Sequence, residues 1–346
     1  METTHRRATR VILSLFFATT IFLGNSVAKG DPVSEMGSFS VFGNVDLGQL
    51  AKTDVKTAHG LPMNNPRFLS VQSCYVVARP PAQEIQTLRR WNPTSHRELK
   101  VYLHSDISVS ASPESFARLR NAPDNDAVRQ LVEKTKKLSP DLQLSKEEAK
   151  RFTPSNDSGG SMTASVASFW MNVLTGRARA FASGGTAAQP PYDYSGQAIR
   201  PNEELNGLLR EQGKIRQQFA GFLGATGIGR GSGGKPEMYW ELLSADDQGV
   251  VTLGAAYSRA GGSGTYQAAD TLYYASGGYY VTLTLFQMWP VSIEGRPSTL
   301  VWRGDFVSAA QLANLHGVER LASESAMMKD ITKAVTLYRR DTSSGR

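Results

Sequence analysis

The chain carries one cysteine in 346 residues, Cys74. A single thiol excludes an internal disulfide framework and any multi-cysteine metal cluster, so it is read as a small buried apolar side chain. Histidine is also scarce. His59, His96, His104 and His316 stand far apart, with no His-x-x-x-His or His-Glu-x-x-His pair, so no zinc site is expected and no cofactor or metal is assigned. After residue 28 no apolar run approaches the about 20 residues of a membrane span, which limits the chain to peripheral membrane contact. Basic blocks are missing as well. The formal charge is +7, of which Glu2, Arg6, Arg7 and Arg10 supply a net +2 and the remainder +5, with Lys and Arg interspersed among Asp and Glu. Without clustered basic and aromatic residues, no nucleic-acid partner is expected.

Several nominal motifs fail for lack of context. Gly229-x-Gly231-x-x-Gly234 imitates a dinucleotide fingerprint, but a helical pattern precedes it and a strand pattern follows, the reverse of what a phosphate site at a helix N-terminus requires. Gly234-Lys235 is followed by Pro236 where a P-loop needs Ser or Thr. There is no Gly-x-Ser-x-Gly elbow. His104-Ser105-Asp106 has the residue types of a catalytic triad, yet neighbours in an extended segment point in alternating directions and cannot form the relay among themselves.

What the chain does contain is, first, a leader. Arg6, Arg7 and Arg10 form a basic region, Val11 to Gly24 an apolar one too short to span a bilayer, and Ser26-Val27-Ala28 a small-x-small cleavage site. Residues 1–28 are therefore expected to be a bacterial signal peptide, cleaved after Ala28, leaving a secreted or periplasmic protein. Composition supports a globular remainder, with 40% hydrophobic and 9% aromatic residues. Residues 29–66 are polar and Gly-rich and are expected to form an extended arm. Phe68 to Ala78 alternates as a strand, Pro80-Pro81 opens a helix carrying Ile85, Leu88 and Trp91, and Leu99 to Leu103 reads as a short strand.

From 109 to 235 the pattern turns helical, with start signals at Ser112-Pro113 and Ser145-x-x-Glu148 and an amphipathic run from Met162 to Leu174. Residues 236–340 return to strands. Met238 to Leu243, Val250 to Arg259, Thr265 to Ala275, Tyr279 to Trp289 and Ser298 to Phe306 are separated by short Asp- and Gly-rich turns, the signature of an antiparallel meander. A long helix bearing Leu321, Met328, Ile331, Val335 and Tyr338 follows, and 341–346 is expected to be a disordered tail. The predicted fold class is α+β: an antiparallel β-meander packed on a long C-terminal helix. The α+β domain comprises 67–108 and 236–340, with 109–235 as a helical insertion or subdomain.

Both faces of the Tyr279 to Trp289 strand need covering, and the meander is dense in aromatic and threonine side chains. Trp240, Tyr257, Tyr274, Tyr280, Thr282, Thr284, Phe286 and Trp302 are the candidate ligand-binding residues. Catalysis would instead require Asp270, Asp305, His104 or His316 to converge in one cleft, and none is assigned as catalytic.

The order of strand, helix from Pro80, meander and terminal helix resembles the helix-grip arrangement of START-like and polyketide-cyclase-like lipid-binding proteins, with Leu69 to Pro81 and then Ile85, Leu88 and Trp91 as the local match. That resemblance implies a curved sheet gripping the C-terminal helix around a hydrophobic cavity. It spans about 130 residues, and the helical stretch from 109 departs from it. The expected function is an exported, non-catalytic protein that binds a lipid or other apolar or amphipathic small molecule between sheet and helix. A cell-envelope scaffold docking another protein is the alternative, and a hydrolase of unknown specificity the third. A solvent-filled apolar cavity beneath Leu321 to Val335 would favour ligand binding there; a tightly packed sheet at that place would sink it.

Overall fold

The computed structural model describes residues 30–52, 54–154, 162–228 and 235–343. The predicted signal peptide, the Gly-Ser cluster 155–161, the glycine run 229–234 and the last three residues lie outside the described residues.

In chain order the elements are α1 (Pro32–Phe39), α2 (Leu47–Lys52), β1 (Lys56–His59), β2 (Phe68–Val77), α3 (Pro81–Arg90) and β3 (Val101–Ile107). Then come α4 (Asp126–Lys136), α5 (Lys146–Ala149), α6 (Ala164–Gly184), α7 (Pro201–Glu211), α8 (Gly213–Gln218) and α9 (Ala220–Thr226). The meander is β4 (Glu237–Ala245), β5 (Gln248–Ala260), β6 (Tyr266–Ala275), β7 (Val281–Ile293) and β8 (Arg296–Ser308), and α10 (Val318–Ser343) closes the chain. The fold is α+β, with one eight-stranded antiparallel sheet in the order β1-β2-β8-β7-β6-β5-β4-β3.

Local chemistry sets the ends of these elements. Asp246-Asp247 and Glu294-Gly295 all take positive φ, the two-residue hairpin geometry that matches strand twist. At α5 the Ser145 hydroxyl accepts from the Glu148 amide while Glu148 accepts from the Ser145 amide, the reciprocal cap foreshadowed in the sequence. Pro81 opens α3 at a position where its missing N–H costs nothing.

The two faces of the sheet carry different loads. One is covered from end to end: α4 and α6 pack with Leu103, Trp240, Leu242, Val251 and Leu253 on β3 to β5, and α1, α7, α8 and α9 pack with Val76, Leu283, Leu285, Trp302 and Phe306 on β2, β7 and β8. On the other face α10 packs on β2 and α3 crosses β6 to β8, so that Ile85, Ile331, Val335 and Tyr338 share a core with Leu69, Val71, Tyr75, Phe286, Met288 and Val301. Cys74 lies within the fully covered core, and burial pushes its thiol up to about 12.

Two expectations are corrected. In the expected extended arm, 29–66, the described residues instead form α1, α2 and edge strand β1, and the Phe39 ring lies edge-to-face with Trp302, centroids 4.9 Å apart, docking α1 onto the sheet. The expected tail beyond 340 also begins too early. Asp341 to Ser343 continue α10, and Asp341 accepts hydrogen bonds from Trp91 at 2.9 Å and pairs with His96 at 2.6 Å.

Candidate functional site

Between α3 and this face of the sheet a cavity of about 520 Å³ opens over β3 to β8. Its roof is apolar, from Ile85 and Leu88 on α3 and from Trp91 just beyond it. Trp91 is held by its hydrogen bond to Asp341 and by an edge-on contact with the Tyr338 ring, centroids 5.6 Å apart. The mouth is spanned by an ion pair between Arg89 of α3 and Glu237 of β4. Where Ile331, Val335 and Tyr338 of α10 meet the sheet the space is filled by side chains, and this cavity is lined by α3 and by no residue of the Leu321 to Val335 stretch.

The floor is polar, and strand register explains its composition. Side chains two apart on a strand share a face, and pairing aligns Glu237, Ala256, Asp270, Thr284 and Asp305 in one row, with Asp106, Tyr239, Gly254, Leu272 and Thr282 in the next. Tyr239 and Asp270 belong to different rows and are separated by β5. They meet because the strand between them offers Gly254, where any Cβ would overlap the Tyr239 ring; the ring lies across β5 and its hydroxyl donates to Asp270 Oδ1 at 2.6 Å. The register shift between Leu253 and Gly254 falls at the same point.

Two further polar groupings flank this pair. His104 Nδ1 lies 3.0 Å from Glu241 Oε1, its ring centroid is 5.3 Å from that of Tyr239, and its Nε2 lies 3.9 Å from the exposed Asp106. Arg303 binds Asp305 through two nitrogens, at 2.7 and 2.8 Å, while Thr284 donates to the same carboxylate at 2.9 Å. The Arg303 guanidinium lies 5.6 Å from the Phe286 ring centre, at the boundary between polar floor and apolar wall.

Electrostatics follow from this arrangement. Burial raises the Asp270 carboxyl to about 6, reinforced by Glu241 and opposed by the Tyr239 hydrogen bond, Arg303 and His104. Burial disfavours the charged form of His104, but Glu241, Asp106 and Asp270 outweigh it and hold the imidazole above its ordinary value. Among the described residues no group of three or more His, Cys, Asp or Glu side chains is placed to hold a metal ion.

The candidate residues read from the sequence divide between the two faces. Thr282, Thr284 and Phe286 line the cavity, and Tyr257 borders it. Trp240, Tyr274 and Trp302 lie fully buried under the helical layer: Trp240 donates to the Ser115 carbonyl at 3.1 Å, Tyr274 lies 4.2 Å from the Arg177 guanidinium, and Trp302 donates to Gln72 at 3.1 Å. Tyr280 stacks on Tyr192 with centroids 6.1 Å apart, outside the cavity. Of the would-be catalytic set, His104 and Asp270 share the cavity, Asp305 stands behind Arg303, and His316 is exposed elsewhere. Tyr239, Glu241, Arg303 and Gly254 were not singled out from the sequence. Comparison with protein-family models, with curated proteins and with solved structures finds no match for this chain.

Proposed function

We propose that this protein binds a small amphipathic molecule in the cavity between α3 and the sheet, its apolar part between Leu88 and Trp91 above and Phe286 on the sheet, and its polar part on the Asp270, Tyr239 and Arg303 floor. The observation that carries this is the cavity itself: about 520 Å³ of space, within the range of small-molecule sites, walled by apolar side chains with a few convergent polar groups. The polar floor argues for a ligand with hydrogen-bonding groups rather than a bare acyl chain, because an apolar ligand would strand those groups without water. Export through the leader at residues 1–28 belongs to the same proposal, and an intact mass beginning at Lys29 from the producing cell would test it.

Native mass spectrometry of the purified protein, incubated with a cellular lipid and metabolite extract, tests the binding. The expected result is one small molecule taken up per chain. The substitution Ala256→Trp, which fills the cavity from its β5 wall, is expected to abolish uptake without unfolding the protein. No uptake by the wild type, or equal uptake by the variant, would overturn the assignment.

A further inference from the structure

The floor is more elaborately built than recognition alone requires. We infer that the cavity is also a proton-transfer site, in which the Asp270 carboxylate takes a carbon-bound proton from an amphipathic carbonyl compound held under α3. This rests on the ligand-binding proposal and adds a reaction to it.

The geometry supplies the parts. Tyr239 occupies Oδ1 of Asp270, and no other hydrogen bond reaches the carboxyl among the described residues, so Oδ2 is left for a ligand. The charged and titratable groups that bear on Asp270 are Tyr239 and Glu241 from β4, His104 from β3 and Arg303 from β8, and Asp106, Lys235 and Glu237 line the same cavity. From the roof the charged neighbour is Arg89, which is engaged by Glu237. Burial leaves Asp270 ionised at neutral pH yet more basic than an exposed aspartate, the condition under which a carboxylate works as a general base.

The step balances without a co-reactant. Asp270 Oδ2 accepts the proton on the carbon beside the carbonyl, the C–H electron pair becomes the double bond of an enolate, and the negative charge moves to the carbonyl oxygen. Arg303 borders the same space beside the His104 imidazole, and its guanidinium provides positive charge for that oxygen. Return of the proton from Asp270 to the original carbon, or to the far carbon of a conjugated system, restores the carboxylate and releases the compound or its isomer. Tyr239 acts as a positioning residue, fixing the carboxyl through Oδ1.

A chromogenic carbon acid tests this without knowledge of the natural substrate. With 5-nitrobenzisoxazole, a base removes the ring C–H proton, the C–H electrons complete a nitrile, and the N–O bond breaks with its pair passing to oxygen as a coloured phenolate. Binding is measured separately by calorimetry with 5-nitroindazole, which has no such bond to break. The expected result is binding of the indazole together with elimination whose rate rises with pH through a midpoint of about 6. Asp270→Asn should bind the indazole and lose elimination by about 100-fold. Tyr239→Phe should move the midpoint upward, since it removes a hydrogen bond that favours the ionised carboxyl, a shift that a merely structural role would not produce. Indazole binding without Asp270-dependent elimination would overturn proton transfer and leave ligand binding standing. Failure of the wild type to bind the indazole, with no elimination and no uptake of any molecule from the extract, would overturn both.

Discussion

At the scale of single residues, the site is held by one glycine and one aspartate with opposite demands on stability. Gly254 is required because the Tyr239 ring occupies the space of its missing Cβ. Gly254→Ala is therefore expected to cost about 1–3 kcal/mol by overpacking, read by denaturant unfolding, and to weaken the Tyr239 hydrogen bond to Asp270. An alanine variant as stable as the wild type would show that the ring moves freely. Asp270 works the other way. Its folded pKa of about 6 stands above its ordinary value of 3.8, so between these values the unfolded chain gives up the proton while the folded chain keeps it. The aspartate thus destabilises the fold progressively from about pH 4 to 6 and fully above that. Asp270→Asn keeps an acceptor for Tyr239 and removes the titration. Its melting temperature should exceed that of the wild type at pH 8, with the gain vanishing at pH 4; an equal difference at both would separate the effect from ionisation.

At the scale of elements, the helical layer is fastened by a buried ion pair. Arg177 on α6 is fully buried, bonds Glu148 on α5 at 2.7 Å and lies against Tyr192 and Tyr274, so one charge holds two helices and β6 together. Glu148→Ala would leave an uncompensated buried guanidinium and is expected to cost about 3–5 kcal/mol, measured by chemical denaturation. Replacing both partners with apolar residues should recover most of that loss. The Ser145 and Glu148 cap on α5 was legible in the sequence, as were the meander turns and the terminal helix, because caps, turns and long periodic runs are encoded locally. The α1 and α2 segments were not: helices of eight and six residues are marginal alone and exist here because Phe39 and Leu50 find a core. The floor of the cavity left a fainter trace. Glu237-x-Tyr239-x-Glu241, His104-x-Asp106 and Arg303-x-Asp305 place polar residues at strand period on otherwise apolar strands, a pattern that marks one polar face. Which strands share that face depends on the sheet order, and the link from Tyr239 to Asp270 depends on a glycine one strand away. Aromatic density was the weaker guide, since Trp240, Tyr274 and Trp302 owe their positions to anchoring helices.

At the scale of the whole molecule, the question is whether residues 109 to 228 can be separated from the sheet they cover. Asp31 onward forms one compact unit, and the core under α4 and α6 is shared: Phe116, Trp170 and Phe181 from the helical segment meet Trp240, Leu253 and Tyr273 from the strands. Excising the segment would bare that face of β3 to β6, an exposed apolar area that a soluble sheet cannot sustain. The same strands carry Tyr239, Glu241 and Asp270 on their other side, so loss of the helical layer should also dissolve the cavity floor. Chains of this length often unfold in steps, and the shared core predicts that this one does not. Its five tryptophans report on all three packed regions, with Trp170 and Trp240 in the core under α6, Trp289 and Trp302 under α7 to α9, and Trp91 beside α10. Equilibrium denaturation followed by tryptophan fluorescence and by far-ultraviolet circular dichroism should therefore give one coincident transition. Two separate transitions, the first losing helical signal together with the fluorescence change of the tryptophans under the layer, would instead show that the layer detaches as a unit, and a cavity that still bound ligand after that first step would make it a separable subdomain.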